Sequence, residues 1–259
     1  MDFVQIPNLP ESDTALVAVS GTYVPILNAL RNLGIDVIEI NSCQKLNKPV
    51  NSHADILLHH LGGNQIVIID GEAYLTEKLR QQGFAVMYSN VCTSNVLYLN
   101  DILLNAARVG NWLFAKKTAL DTVIRDYCTE NRIKLIPVKQ GYAKCSTVIV
   151  NEESIITADK SIQEAAKTVG IDVLQITPGY VQLKGYEYGF LGGACGLISK
   201  NKLAFAGNIK THPDYEKIKY FCNKKQVELI SLIDGPLLDV GGILPLKVKE
   251  SAEKQLDIS

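Results

Sequence analysis

Residues Gly141 to Gly179 spell out a complete folding unit, and the rest of the chain repeats it imperfectly. Cys145 to Val150 (CSTVIV) is β-branched and alternating, Asn151-Glu152-Glu153 is a turn, and Ser154 to Thr157 (SIIT) is again apolar, which predicts a hairpin. A helix follows, capped by Asp159 or Ser161, with Ile162, Ala165, Ala166 and Val169 on one face and Gly170 as its stop. Ile171 to Ile176 (IDVLQI) is then a third strand. The unit is ββαβ, and alone it cannot bury its apolar face.

The other copies are read off the same signals. Ala15 to Ser20, a helix over Tyr23 to Leu33 and the strand Ile35 to Ile40 form βαβ, one strand short of a unit. Ala54 to His59 (ADILLH) is echoed by Asn100 to Asn105 (NDILLN), and Gly-Asn turns at Gly63-Asn64 and Gly110-Asn111 follow. Helices are predicted over Ala73 to Arg80 and Ala119 to Asn131, with strands at Phe84 to Tyr88 and Ile133 to Val138. A fifth copy has strands Gly192 to Ser199 and Leu203 to Ala206, a helix opened by His212-Pro213, and the strand Val227 to Leu232. The post-helical strands begin at Ile35, Phe84, Ile133, Ile171 and Val227, intervals of roughly 40 to 55 residues.

One strand, Ile243 to Val248 (ILPLKV), is left over at the back, where the first unit lacks one at the front. Pairing it with Ala15 to Ser20 completes five units and leaves no open seam. The expectation is an α/β chain of one domain over residues 1–259, with a lead-in over 1–12, folded as a closed five-bladed β/α propeller.

Composition narrows the function. Lys and Arg number 26 against 27 Asp and Glu, so the net charge of −1 makes no electrostatic case for nucleic acid or an anionic membrane. No secretory leader pattern and no long apolar run is present, so a cytoplasmic protein is expected. Cys43, Cys92, Cys128, Cys145, Cys195 and Cys222 lack CxxC spacing, which argues against zinc and a disulfide framework and for reduced core thiols. Neither a metal nor a cofactor is expected.

Five ββαβ units are the architecture of the guanidino-group-modifying, or pentein, fold. The sequence resembles that superfamily, which includes arginine deiminase, dimethylarginine dimethylaminohydrolase and the amidinotransferases. GYAKCSTVIVNEESIITAD (Gly141 to Asp159), GYEYGFLGGACG (Gly185 to Gly196) and HPDYEKI (His212 to Ile218) are similar to a family of unknown function described by this fold. For active members the resemblance implies carboxylates that hold a guanidinium, a His in an H-x-D phrase that moves protons, and a Cys that attacks the central carbon. The chemistry is sound in itself: a carboxylate fixes a guanidinium plane through two parallel charged hydrogen bonds, and a thiolate then attacks perpendicular to it.

Carried onto this chain, the H-x-D phrase is His53-Ala54-Asp55, with His53 as acid/base. Where active members carry a Cys beside a terminal Gly-Gly, this chain has Asp239-Val240-Gly241-Gly242-Ile243, without one. Two substitutes stand open: Cys195, flanked by glycines, and Cys145, whose neighbour Lys144 is expected to lower its pKa. Asp55, Asp101, Lys144, Glu187 and Asp239 are candidate substrate-binding residues, and Asn90, Asn95, Tyr142 and Tyr188 fall on the same predicted rim. His59 and His60 read as packing residues, and His212-Pro213-Asp214 as a helix start. The leading expectation is an amidine- or guanidine-modifying enzyme, hydrolase or amidinotransferase, acting on a small arginine-like molecule. The alternative is a non-catalytic pentein that binds a small cation or a macromolecule, favoured by the missing terminal Cys. The expected partner is a small guanidine or amine, with a homodimer as the candidate assembly.

Overall fold

The structure, a computed structural model, describes residues 1–90 and 101–250. Cys92, Asn95 and the first residue of the NDILLN echo, Asn100, lie outside the described residues.

Five sheets repeat one pairing rule. The hairpins Leu58–Gly62 with Gln65–Ile68, Ala107–Val109 with Trp112–Ala115, Thr147–Asn151 with Ser154–Thr157 and Cys195–Ser199 with Lys202–Phe205 are antiparallel. The second strand of each then pairs in parallel with the strand that follows the helix: Ala85–Tyr88, Lys134–Pro137, Asp172–Gln175 and Glu228–Ser231. In the remaining sheet Thr14–Ser20 pairs in parallel with Asp36–Ile40 and antiparallel with the C-terminal strand Leu244–Val248. The two ends of the chain therefore build one sheet, as the spare strand requires. Asp2–Phe3, expected to be patternless lead-in, adds a short edge strand to Leu244–Val248.

Burial follows position in the sheet. The middle strands are apolar along their length and sealed on both faces, as Val17, Ala18, Val19, Ile66, Val67, Ile68, Ile155, Ile156, Leu203 and Phe205 show. The four outer strands after the helices are exposed at both ends and half-buried between. The helices Val24–Asn32, Ala73–Gln81, Thr122–Glu130, Lys160–Thr168 and Tyr215–Lys224 are nine or ten residues long. Asp121 and Asp159 cap two of them, accepting from the backbone N–H of Val123 at 2.8 Å and of Ile162 at 3.0 Å.

Each of these five helices ends on a residue of positive φ that turns the chain into the outer strand: Gly34, Gly83, Arg132, Gly170 and Gln226, with φ between 57° and 84°. Glycine was expected at three of these; at Arg132 and Gln226 an ordinary side chain takes the same conformation because the unit geometry demands it.

The first hairpin strands carry the units toward one another: Ala107–Val109 packs on Thr147–Asn151, that strand on Cys195–Ser199, and that one on Leu244–Val248. The residues just before these strands are the ones that meet at the site. A separate two-stranded parallel pair, Val181–Gln182 with Leu237–Leu238, ties the loop of residues 183–190 to the segment that carries Asp239. No helix among the described residues is long and apolar enough to cross a membrane.

Candidate active site

His53 and Asp55 were expected to open a strand. They instead open a single helical turn, Ala54–Leu57, that precedes the strand, with His53 as its N-cap and Asp55 in its first turn. The turn places both side chains inward, and each residue is no more than 2 % exposed. The terminal Gly-Gly phrase holds this turn in place. Gly241 accepts a hydrogen bond from the Asp55 N–H at 3.0 Å. Its φ is +74°, and a Cβ there would overlap the Cα and Cβ of His53. The glycines that elsewhere flank a nucleophile here back the H-x-D turn.

Cys145 arrives from the unit at Gly141–Gly179, two residues before the strand Thr147–Asn151. Its thiol donates to Asp55 Oδ2 at 2.8 Å and accepts from Asn105 Nδ2 at 3.2 Å. Asn105 is the bracket between the two: Nδ2 also donates to the Asp55 carbonyl at 3.0 Å, and Oδ1 accepts the backbone N–H groups of Lys144 at 2.8 Å and Cys145 at 3.3 Å. Donor atoms of His53, Asp55 and Cys145 lie within 4.8 Å of one another. They are the one such trio among the described residues that a metal ion can bridge, although the short Cys145 to Asp55 contact is that of a shared proton.

Asp239 completes the polar centre. Oδ2 accepts from the Phe190 N–H at 2.8 Å and Oδ1 from the Gly241 N–H at 3.1 Å, with His53 Nδ1 3.7 Å from Oδ1. Gly193 allows this: a Cβ on it would overlap the Asp239 carboxylate. Both ring nitrogens of His53 and Oδ1 of Asp55 are buried with no hydrogen-bond partner among the described residues. Native interiors rarely leave such groups unpaired, and at a cleft they are the atoms left to meet a ligand.

A cavity of about 260 Å³ opens onto this centre. Its floor is His53, Cys145 and Asp239, and its walls are Val50, Ile56, Tyr142, Leu183, Tyr186, Glu187, Tyr188 and Phe190. Asp55 stands behind the thiol and faces a second, water-sized cavity of about 20 Å³ shared with Lys144, His59 and His60.

Burial, then the nearby charges of Asp55 and Asp239, push the Cys145 thiol well above its usual range. Burial also raises Asp239, against the opposing pull of His53, and raises Asp101. The expected depression of the Cys145 pKa by Lys144 is not found. Lys144 is adjacent in sequence but directed away, its Nζ donating to the Gly192 carbonyl at 3.3 Å. Its charge acts on Cys195 instead, and burial still pushes that thiol up to about 12.

The other candidates separate cleanly. Cys195 is buried and lines no cavity near the centre, and its glycine neighbours serve packing: a Cβ on Gly192 would come within 2.6 Å of the Cys145 carbonyl. Asp101 stands one layer back, its Oδ2 accepting from Asn47 Nδ2 at 2.9 Å and from the Tyr142 hydroxyl at 3.3 Å. Glu187 and Tyr188 lie on the exposed cavity wall. Asn90 is away from the centre, its N–H donating to the helix cap Asp121 at 2.9 Å. His59 and His60 bond the carbonyls of Leu104 and Gly63, and burial lowers each to about 4. His212 accepts from the Asp214 N–H at 3.1 Å at the helix start. Sequence reasoning missed Asn105, Tyr186 and Phe190, although all three lie in phrases that carry the repeat or the resemblance.

The whole architecture is similar to solved structures of guanidino-group enzymes. The inosamine-phosphate amidinotransferase of Streptomyces griseus superimposes with a TM-score of 0.58 at 10% identity, covering 95% of this chain and 97% of that one. Agmatine deiminase of C. jejuni gives 0.55 at 10% identity, with the same coverage. DDAH of Pseudomonas aeruginosa, complexed with citrulline, gives 0.54 at 7% identity, covering 85% and 92%. At such identities the likeness establishes the pentein fold. No curated protein matches the sequence. Residues 18–244 match the model of the Family of unknown function (DUF6873), and with nearly all of its repeating units inside that span, the chain belongs to that family.

Proposed function

We propose that the five sheets close into a five-bladed ring and that its centre modifies the guanidine or amidine group of a small cation, with Cys145 as nucleophile. The observation that carries this reading is the convergence, at the floor of one cavity, of a buried thiol, an imidazole whose two nitrogens have no hydrogen-bond partner among the described residues, and the Asp239 carboxylate, with the Asp55 carboxylate hydrogen-bonded to the thiol from behind. The consecutive packing of the first hairpin strands and the sheet shared by both chain ends support closure.

The roles follow from the contacts. A guanidinium entering the cavity sets its charge against Asp239, with Glu187 at the wall, and turns its carbon toward Cys145. The arriving cation offsets the carboxylates that hold the thiol protonated, and Asp55 takes the Cys145 proton along their existing hydrogen bond. The sulfur–carbon bond forms, and the carbon–nitrogen bond to the departing amine breaks as protonated His53 delivers a proton to that nitrogen. Attack by water or by a second amine on the resulting thiouronium restores the thiol and separates hydrolase from transferase. Asn105 positions: it holds the Cys145 backbone and the Asp55 carbonyl in register.

One observation favours the non-catalytic reading, in which the cavity binds a cation only: the free thiol is held strongly protonated by burial and by Asp55. Turnover decides between the two. Release of ammonia or amine from a panel of guanidines by the intact protein, lost in Cys145→Ser and in His53→Gln, is the expected result. Binding of the same panel, seen as thermal stabilisation, with no product from any member would leave a binding protein.

A further inference from the structure

Once the guanidinium end is seated at His53, Cys145 and Asp239, the rest of a ligand must lie along the outer wall. That wall is apolar and aromatic, formed by Leu183, Tyr186 and Tyr188, and among the described residues its one charged side chain is the carboxylate of Glu187. The buried Lys144 faces the second cavity behind Cys145, and its Nζ donates to the Gly192 carbonyl. Lys48 and Lys184, on the neighbouring loops, are exposed and form no part of the wall.

We propose that this cavity selects guanidines whose far end carries no carboxylate, a neutral or cationic alkyl guanidine rather than a free amino acid. The inference rests on the guanidine reading above and adds the chemistry of the tail. An amino-acid carboxylate on this wall would trade water for tyrosine side chains and face Glu187, a like charge, with no Lys or Arg among the described wall residues to replace its hydration. A second ammonium, by contrast, meets Glu187 and the faces of Tyr186 and Tyr188. Exposed lysines on flexible stems compensate weakly, because solvent and salt screen them.

The test uses the full chain carrying Cys145→Ser, so that binding is measured without turnover, repeated with Cys145→Ala to guard against one variant failing to fold. Agmatine, arginine amide and arginine are titrated by calorimetry at one ionic strength. Agmatine and arginine amide are expected to bind at least tenfold more tightly than arginine, and adding Glu187→Lys is expected to narrow that ratio by tenfold or more. Arginine binding as tightly as agmatine, or a preference that Glu187→Lys leaves unchanged, overturns the inference while the guanidine reading stands. Failure of all three ligands to bind overturns the guanidine reading itself.

Discussion

Asp239→Asn is the perturbation whose cost can be worked from the contacts. The carboxylate spans two backbone N–H groups, Phe190 at 2.8 Å and Gly241 at 3.1 Å, and so ties the loop of residues 183–190 to the segment that carries Gly241. Asparagine has one acceptor oxygen, so its amide N–H₂ must face one of those donors. Hydrogen bonds to a charged group contribute about 1.5–3 kcal/mol each, and a buried donor left unpaired costs about 1–3 kcal/mol. The substitution removes one bond and weakens the other, so a loss of about 2–4 kcal/mol is expected. For a chain of this size that corresponds to a fall in Tm of roughly 5–12 °C. The perturbed segments are the loop of residues 183–190 and the glycines behind His53, so guanidine binding should fall as well. Urea denaturation reads the first effect and calorimetry the second. A variant as stable as the wild type would refute the role of Asp239 as the pin between the cavity wall and the H-x-D turn.

Further expectations follow from burial and backbone geometry. His59 and His60 are lowered from the usual 6.5 to about 4, so the stability they contribute is full above pH 6.5 and lost as pH falls toward 4. The shift corresponds to about 3 kcal/mol for one histidine, with less than twice that for the pair because each opposes the other's charge. Buried Asp101, Asp121 and Asp239, raised by burial above the ordinary carboxylate value, act in the opposite sense, so His60→Phe must be compared with wild type at each pH; parallel curves would contradict the assignment. Arg132 and Gln226 hold positive φ at helix ends where three other units use glycine, so Arg132→Gly with Gln226→Gly should raise stability by about 1 kcal/mol, and a loss in urea denaturation would contradict it. Gly241→Ala places a methyl group into His53 on a backbone at φ +74°, and should cost about 2–4 kcal/mol and displace the H-x-D turn; unchanged stability and binding would show that the phrase is not its support.

The sequence carries the fold well because each unit announces itself locally. β-branched runs, turn pairs and a helix stop recur in the same order, and the leftover strand Leu244–Val248 has a vacancy beside Thr14–Ser20. The site is less legible because it depends on direction rather than on pattern. Lys144 and Cys145 are adjacent, and adjacency suggested that one tunes the other, yet they lie in the turn before Thr147–Asn151 and line different cavities. The echo of ADILLH in NDILLN slips by one residue, since the turn glycine comes one position later after Asp101 than after Asp55. The slip sets Asp101 behind Tyr142 and leaves Asn105 to face the thiol, which no motif count reveals. The glycines around Cys195 marked it as a candidate nucleophile, whereas they make room for the Cys145 carbonyl and the Asp239 carboxylate. Tyr186 and Phe190 reach the cavity only because the Val181–Gln182 and Leu237–Leu238 pair folds their loop over it.

The most direct measurement is covalent capture with a chloroacetamidine, whose amidinium mimics the substrate cation and whose carbon–chlorine bond traps a nucleophilic sulfur. Intact-protein mass followed by peptide mapping should find a single adduct on Cys145, abolished by Cys145→Ser, slowed by a competing guanidine and absent at Cys195. Preferential modification of Cys195 or Cys43, or no selective modification of the folded chain, would contradict a thiol at the centre that attacks a guanidine carbon.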